Sequence, residues 1–325
     1  MAGRFRWTPL LRLGLGLALI AWLVRAIGLD AVRQAWIPVR AHPGWIAAAL
    51  ALTFAALCAG VVRWHGLMHR MGLPTPFSRT FRGYFIGQFF NAFLFGACGG
   101  DLARAVFAAH DHAARRAEAV TSVFLDRAIG LAVTLLFGCT LLVPRLRFFA
   151  GHAEARPALF LMGVFLLATL ALLALFFGRG GLERLPGVRR LAAHGRVGPL
   201  LRRGVEALDY FRHHRRHLLV PTLLALANLL LLAAATAALA RALEMPLAVA
   251  DLLVVFPILT VLAAVPITPG SLGVRETLYV QLLHPFGIRP GPALMLSLLG
   301  YLAATAWSLF GGLLFLRSNR GGPGK

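Results

Sequence analysis

Long apolar runs follow one another along almost the whole chain, and short polar stretches separate them. A helix that crosses a bilayer needs about 20 such residues. Two further apolar segments, 81–98 and 252–268, are shorter and are interrupted by polar residues or followed by Pro and Gly. Lipid favours helices, which satisfy their own backbone hydrogen bonds. The pattern predicts an all-α, polytopic integral membrane bundle, with full spans at about 10–29, 45–66, 118–143, 157–177, 218–240 and 292–316.

Composition agrees with this fold class. Apolar residues make up 59% of the 325 residues and charged residues only 14%, which exceeds the apolar share of an ordinary soluble domain. We therefore expect residues 1–325 to form a single transmembrane domain. The three cysteines show no CxxC spacing, and no Walker motif or metal-ligand cluster occurs. Neither a cofactor nor a metal nor ATP-driven transport by this chain alone is expected.

The net charge of +21 is carried almost wholly by arginine. Such a charge could indicate nucleic acid, but these arginines lie mainly in loops between apolar runs. The positive-inside rule and anionic lipid explain them better, so nucleic acid is not an expected partner. The basic N-terminus, the basic C-terminus and the basic segment 178–217 are all predicted to be cytoplasmic. Near the end of 45–66, Arg63 and Trp64 are interpreted as residues of the membrane interface.

The side of the membrane on which these basic regions lie tests the number of spans. If every apolar segment crosses, 178–217 follows five crossings and falls on the wrong side. If 81–98 and 252–268 both enter and return, all three basic regions are cytoplasmic. Broken backbone at membrane depth is tolerated where protein or a watery cavity surrounds it. We therefore predict six full spans with two re-entrant or broken segments, and eight spans as the alternative.

A faint internal repeat accompanies this arrangement. A shift of 171 residues places Gly99 on Gly270 and Arg104 on Arg275. Paired interrupted segments in corresponding halves are typical of inverted-repeat transporters with a site near the midplane. The same shift aligns long and short segments in the same order within two halves, 45–143 and 218–316.

The two short apolar segments each end at a break in the apolar pattern, at Gly99-Gly100 and at Pro269-Gly270. These two breaks carry the candidate functional residues. In each, an apolar run stops at glycine or proline and charged residues follow at once, which is costly at membrane depth and usually functional. We interpret the breaks as facing each other around an anionic group. The candidate substrate-binding residues are Gln88, Asn91, Gly99, Gly100, Asp101, Arg104, Asp126 and Arg127 in the first half, and Pro269, Gly270, Gly273, Arg275 and Glu276 in the second.

These residue types suit a phosphate. Arginine presents a planar fork and keeps its charge, and glycines at a helix start allow backbone N–H groups to approach an anion. The carboxylates would hold the arginines in place when no ligand is bound. Helix capping and buried structural pairing are the alternative roles for the charged residues, and satisfying buried backbone is the alternative role for Gln88 and Asn91. Asp126 and Arg127 point about 100° apart on a helix and need not pair with each other.

The chain resembles the flippase-like transmembrane region of lysylphosphatidylglycerol synthases and of many stand-alone membrane proteins. The resemblance rests on Gly99-Gly100-Asp101 with Arg104, on Asp126-Arg127 with Gly130, and on Pro266 through Glu276. It departs from the family where Phe95-Gly96 replaces the usual Pro-Gly. It implies a bacterial plasma-membrane protein that handles aminoacylated phospholipids or isoprenoid-linked or hopanoid-type lipids. The soluble aminoacyl-transfer domain of the synthases is not expected, so their activity is not carried over.

The leading hypothesis is thus a lipid translocase that passes an anionic headgroup through a polar cavity. A lipid-modifying enzyme with Asp101 or Glu276 as acid or base is a second hypothesis. A third is an accessory subunit that docks a lipid-synthesis enzyme through 178–217.

Overall fold

The computed structural model describes residues 25, 29–93, 99–177, 198–264, 271 and 273–320. Within these residues the chain is helical and contains no strand, which confirms the all-α prediction. Most of the predicted run 10–29 lies outside the described residues, as do Pro269, Gly270 and the first half of the basic segment 178–217.

The described helices are numbered here in chain order. They are α1 Leu29–Ala41, α2 Pro43–Arg70, α3 Phe77–Phe93, α4 Gly99–Asp111, α5 Arg116–Leu142, α6 Leu146–Gly151, α7 Arg156–Phe177, α8 Gly198–His213, α9 Leu219–Ala242, α10 Val249–Ala263, α11 Val274–Leu283 and α12 Pro290–Arg320.

Five described segments are long and apolar enough to cross a membrane. They contain α2, α5, α7, α9 and α12, and they coincide with five of the six predicted spans. The protein is therefore a polytopic membrane bundle. Helix α7 has the most apolar of these segments and the smallest buried share, 6%, so most of its surface faces outward. An outward-facing apolar helix is the expected arrangement where the solvent is lipid.

The two short apolar segments form short helices. Helix α3 has 17 residues and α10 has 15, and α10 carries Pro257 in its interior. At 1.5 Å per residue they extend about 25 and 22 Å, which is less than the roughly 30 Å of a hydrocarbon core. Each precedes a second short helix, α4 and α11 respectively. These lengths fit broken segments; whether the chain re-enters at these points stays a prediction.

Small residues allow the central helices to pack closely. Helix α9 packs on α2, and its buried residues include Ala225, Ala233 and Thr236, which have small side chains. Side chains of this size bring helix backbones near each other in lipid, where packing rather than the hydrophobic effect drives association. The Asn228 amide also donates to the Ala56 carbonyl across this contact, at 2.5 Å.

The two halves pack reciprocally. The short helix α3 of the first half packs on the long helix α12 of the second, and the short α10 packs on the long α5. A Cβ added to Gly311 would meet the Phe85 backbone, and one added to Gly138 would meet Pro257. Each half thus places a glycine of its long helix against the other half's short helix. This exchange is compatible with two related halves, and the repeat itself stays a prediction.

Candidate functional site

A buried carboxylate lies at the centre of the first half. Asp126 on α5 is 1% exposed and accepts hydrogen bonds through both oxygens. Arg63 on α2 donates through Nε to Oδ1 at 2.7 Å, and Arg104 on α4 donates through Nη2 to Oδ2 at 2.9 Å. The three helices are thereby tied together by charge-assisted bonds, which are the strong class of hydrogen bond.

Arg63 and Trp64, interpreted from the sequence as residues of the membrane interface, point into the bundle, and their position relative to the interface stays a prediction. Both are buried, at 7% and 2% exposure, because α2 continues to Arg70 and holds them inside the bundle. The Trp64 indole donates to the Ser122 hydroxyl at 3.1 Å. An arginine inside a span-length run was the available signal, since such residues rarely face lipid.

Two aromatic rings enclose the Arg104 guanidinium. Its Cζ lies 4.3 Å from the Trp64 ring centroid and 4.6 Å from the Tyr84 ring centroid. Cation–π attraction is strongest where the cation is desolvated, as here. Among the described residues, Arg104 Nε is buried without a hydrogen-bond partner. The cluster thus fixes one cation firmly and leaves one of its donors unsatisfied.

Asp101 forms the looser outer part of the cluster. Its Oδ1 lies 3.5 Å from Arg104 Nη1 and its Oδ2 lies 3.7 Å from Arg127 Nη1. Both separations exceed the roughly 2.7–2.9 Å of a good charge-assisted bond. Asp126 and Arg127 do not pair with each other, as the helical geometry predicts. Three arginines and two aspartates leave this cluster with one net positive charge.

The glycines of the first break serve close packing. Gly100 at the start of α4 is buried, and an added Cβ would overlap the Gly87 carbonyl oxygen and the Asn91 amide. Its N–H donates to Asn91 Oδ1 at 2.7 Å, and the Asn91 amide donates to Gln88 Oε1 at 3.3 Å. The Gly100 N–H is therefore already satisfied by protein, so helix packing explains this glycine better than direct anion contact does.

The second break is built around a buried cap. Gly273 has a positive φ of 83°, which glycine adopts without steric cost, and it precedes α11. Its N–H donates to Glu276 Oε2 at 2.5 Å, and Glu276 is fully buried. Glu276 Oε1 also accepts from the Ser297 hydroxyl at 3.0 Å and from Arg275 Nη2 at 3.2 Å. The Glu276 carboxylate thus closes the helix start and anchors Arg275.

Two cavities adjoin at the junction of the halves. The smaller, about 180 Å³, is walled by Arg63, Tyr84 and Asn228 together with six predicted site residues, namely Gln88, Asn91, Asp101, Arg104, Asp126 and Arg127. The larger, about 340 Å³, is mostly apolar and contains Arg127 and Arg275 in its wall. Three residues, Arg127, Leu131 and Thr260, line both cavities. The remaining described candidates, Gly99, Gly100, Gly273 and Glu276, are not among the lining residues of either cavity.

Fold and site together define a class: a polytopic membrane protein with a buried, positively charged cluster that lines a cavity in the bundle. The chain matches the family described as the lysylphosphatidylglycerol synthase TM region over residues 10–311, and it belongs to that family. The predicted resemblance is thereby confirmed, and the family links the chain to lipid handling. A search of curated proteins found no match.

Proposed function

We propose that this protein is a lipid translocase that moves phospholipids with an anionic headgroup between the two leaflets of a bacterial plasma membrane. Both termini are cytoplasmic in this proposal. Isoprenoid-linked lipids are alternative substrates, since they carry a phosphate on an apolar body. Hopanoid-type lipids are a further alternative, for which the apolar body would be the recognised feature. A lipid-synthesis enzyme is an expected partner.

The observation that carries the proposal is the charge cluster of Arg63, Arg104, Asp101, Asp126 and Arg127 in the wall of a cavity. Charged residues inside a membrane bundle have a high free-energy cost, and they usually mark a substrate path. The excess of one positive charge favours an anion. Arginine suits the phosphate of a lipid because its fork can form two parallel hydrogen bonds.

The adjoining cavity supports the lipid part of the proposal. Its wall combines Arg275 with a largely apolar surface that includes Leu232, Leu239 and Phe256. A soluble anion would gain little from such a surface, whereas the glycerol and first acyl carbons of a lipid would bury apolar area there.

Leaflet exchange of a fluorescent lipid tests the proposal. The protein is reconstituted in phosphatidylcholine vesicles that contain a trace of phosphatidylglycerol labelled with nitrobenzoxadiazole on an acyl chain. Dithionite then bleaches the outer-leaflet label. Without exchange about half of the signal survives, whereas exchange exposes the remainder. Loss of the protected fraction with wild-type protein, and its retention in Arg104→Ala or Arg275→Ala vesicles, is the expected result.

The matched control is Arg145→Ala. Arg145 also pairs with a carboxylate, Asp251, at 2.9 Å, but it is partly exposed and lies outside both cavity walls. Exchange should persist in this variant at the same protein density. The translocase proposal would be refuted if the protected fraction stayed intact with wild-type protein for both labelled lipids, phosphatidylglycerol and phosphatidylethanolamine.

A further inference from the structure

Among the described charged residues, Arg127 is the one that lines both cavities. Its side chain is 35% exposed, and its ion-pair partner among the described residues is Asp101 at 3.7 Å. The preceding residue, Asp126, is fixed by bonds of 2.7 and 2.9 Å. Two neighbours on α5 therefore differ sharply: one is locked inside the cluster, and the other is loosely held at the junction.

The larger cavity has a one-sided charge. Arg127 and Arg275 are the charged side chains among the described residues of its wall, and no described carboxylate lines it. Glu276, the partner of Arg275, is fully buried and is not among the lining residues. Arg275 is held by hydrogen bonds to Glu276 and Ser297, whereas Arg127 is 35% exposed and only loosely paired. An anion in this space would therefore find two cations in the wall, and Arg127 would gain the closer partner.

The total charge of both sites limits the ligand. Four arginines, at 63, 104, 127 and 275, face three carboxylates, at 101, 126 and 276, which leaves one positive charge. A phosphodiester carries one negative charge and would balance it. A phosphomonoester carries up to two near neutral pH and would leave negative charge buried.

We propose that the larger cavity binds the phosphodiester of a phospholipid between Arg275 and Arg127, and that Arg127 then transfers it to the smaller cavity. In the empty protein Arg127 rests against Asp101, and in the loaded protein the phosphate replaces Asp101 as its partner. This inference rests on the proposed function and adds to it a substrate class and a shared, mobile cation.

Three features favour Arg127 for this role. Its long separation from Asp101 means that a phosphate oxygen at a normal bond length would be a better partner. Its side chain reaches both cavities, so it can stay bonded to the ligand while the ligand passes between them. Arginine also stays protonated in both environments, so the exchange needs no proton.

Binding measurements separate this role from a purely structural pair. Short-chain dihexanoylphosphatidylglycerol is titrated by calorimetry into detergent-solubilised protein. Dihexanoylphosphatidylcholine carries the same phosphodiester with a choline cation, and it should bind more weakly because it leaves the net positive charge of the two sites unbalanced. Glycerophosphoglycerol, the deacylated phosphodiester, serves as the soluble control. The variants are Arg127→Gln, Arg127→Lys and Asp101→Asn, with Arg145→Gln as the control at an arginine outside the cavities.

The two partners should respond in opposite directions. Arg127→Gln should weaken the Kd for dihexanoylphosphatidylglycerol by about tenfold, the equivalent of one charge-assisted bond. Asp101→Asn removes the competing carboxylate and should tighten the Kd by about threefold or more. Arg127→Lys should lie between wild type and Arg127→Gln, and Arg145→Gln should match wild type. If Arg127→Gln does not fold, the Asp101→Asn and Arg127→Lys values decide.

Several results would overturn the inference. If Arg127 and Asp101 form a purely structural pair, Asp101→Asn should weaken lipid binding just as Arg127→Gln does. An unchanged Kd in Arg127→Gln would also overturn the inference. Glycerophosphoglycerol binding as tightly as the lipid would show that the ligand is a soluble anion.

Leaflet exchange distinguishes this failure from failure of the function itself. Exchange that persists unchanged in Arg127→Gln vesicles refutes the shared cation but leaves the translocase standing. The expected binding pattern without exchange by wild-type protein refutes the translocase and leaves only a lipid-binding site.

Discussion

Arg104 donates a hydrogen bond of 2.9 Å to Asp126, which lies 22 positions later on the next long helix. Arg275 makes the corresponding contact in the second half, since it donates to Ser297, also 22 positions later, at 2.9 Å to the carbonyl oxygen and 3.0 Å to the hydroxyl. Both pairs are related by the shift of 171 residues that relates the two breaks. Serine carries no charge, so Glu276 supplies the carboxylate in the second half. The two breaks thus match in the spacing between the arginine and its bonding partner, and they differ in how the arginine is neutralised.

The Asp126 carboxylate should dominate the stability of the first half. Asp126→Asn leaves Arg63 buried without its ion-pair partner and leaves Arg104 with only the 3.5 Å contact to Asp101. Breaking a buried pair in this way costs about 3–5 kcal/mol. The free energy of unfolding, measured by titrating sodium dodecyl sulfate into mixed micelles, should fall by this amount. Asp251→Asn, which breaks the partly exposed pair with Arg145, should cost less than about 1 kcal/mol. Equal losses in the two variants would contradict the central role of Asp126.

Close packing between α12 and α3 should make Gly311 intolerant of a side chain. A Cβ there would overlap the Phe85 carbonyl, which is backbone and cannot rotate away. Gly311→Ala should therefore lower the free energy of unfolding by about 1–3 kcal/mol, as overpacking does. Gly163→Ala on α7 is the matched control, because no atom lies within 4 Å of its added Cβ. That variant should be neutral or slightly stabilising, since alanine favours a helix over glycine. Gly311→Ala with wild-type stability would show that α3 and α12 are not in close contact.

Glu276 should be a structural residue rather than an acid or base. Glu276→Gln keeps the shape of the side chain but loses charge-assisted bonds to Arg275 and the Gly273 N–H. We expect a loss of about 1–3 kcal/mol in the free energy of unfolding, with leaflet exchange retained by the folded fraction. Mass spectrometry of lipids incubated with the protein checks the enzymatic alternative. A lipid mass change that wild type produces and a well-folded Glu276→Gln does not would favour catalysis.

The two breaks should be accessible from opposite sides of the membrane. In a cysteine-free background, Ala97→Cys should react with an impermeant thiol reagent from the cytoplasm and Thr268→Cys from outside. Helices of 17 and 15 residues, about 25 and 22 Å long, are too short to cross the hydrocarbon core. The predicted inverted repeat would place the two breaks on opposite sides. Cysteines in the exposed loop ends of the long spans provide the reference for each side. Labelling with the reverse sidedness would mean that both segments cross the membrane.

Much of the fold follows from the linear pattern. Apolar runs of span length predicted five of the described long helices, and the short interrupted runs predicted α3 and α10, because lipid leaves a chain few alternatives to the helix. The breaks also directed attention to Asp101, Arg104 and Arg127, which line a cavity. Charge inside an apolar run is a local signal that sequence alone carries.

Partner choice was decided only by the tertiary structure. Asp126 bonds Arg63, 63 positions away, and not its neighbour Arg127, because helix rotation separates adjacent side chains and helix packing brings distant ones together. The same helix packing brings Gly100 against Gly87 and Asn91 and buries Glu276, which caps α11. It also places Arg127 in the walls of both cavities. The sequence by itself determined which segments are helical and where the charges lie along them. Only the three-dimensional arrangement of those helices determined which charges are neutralised and which one faces both cavities.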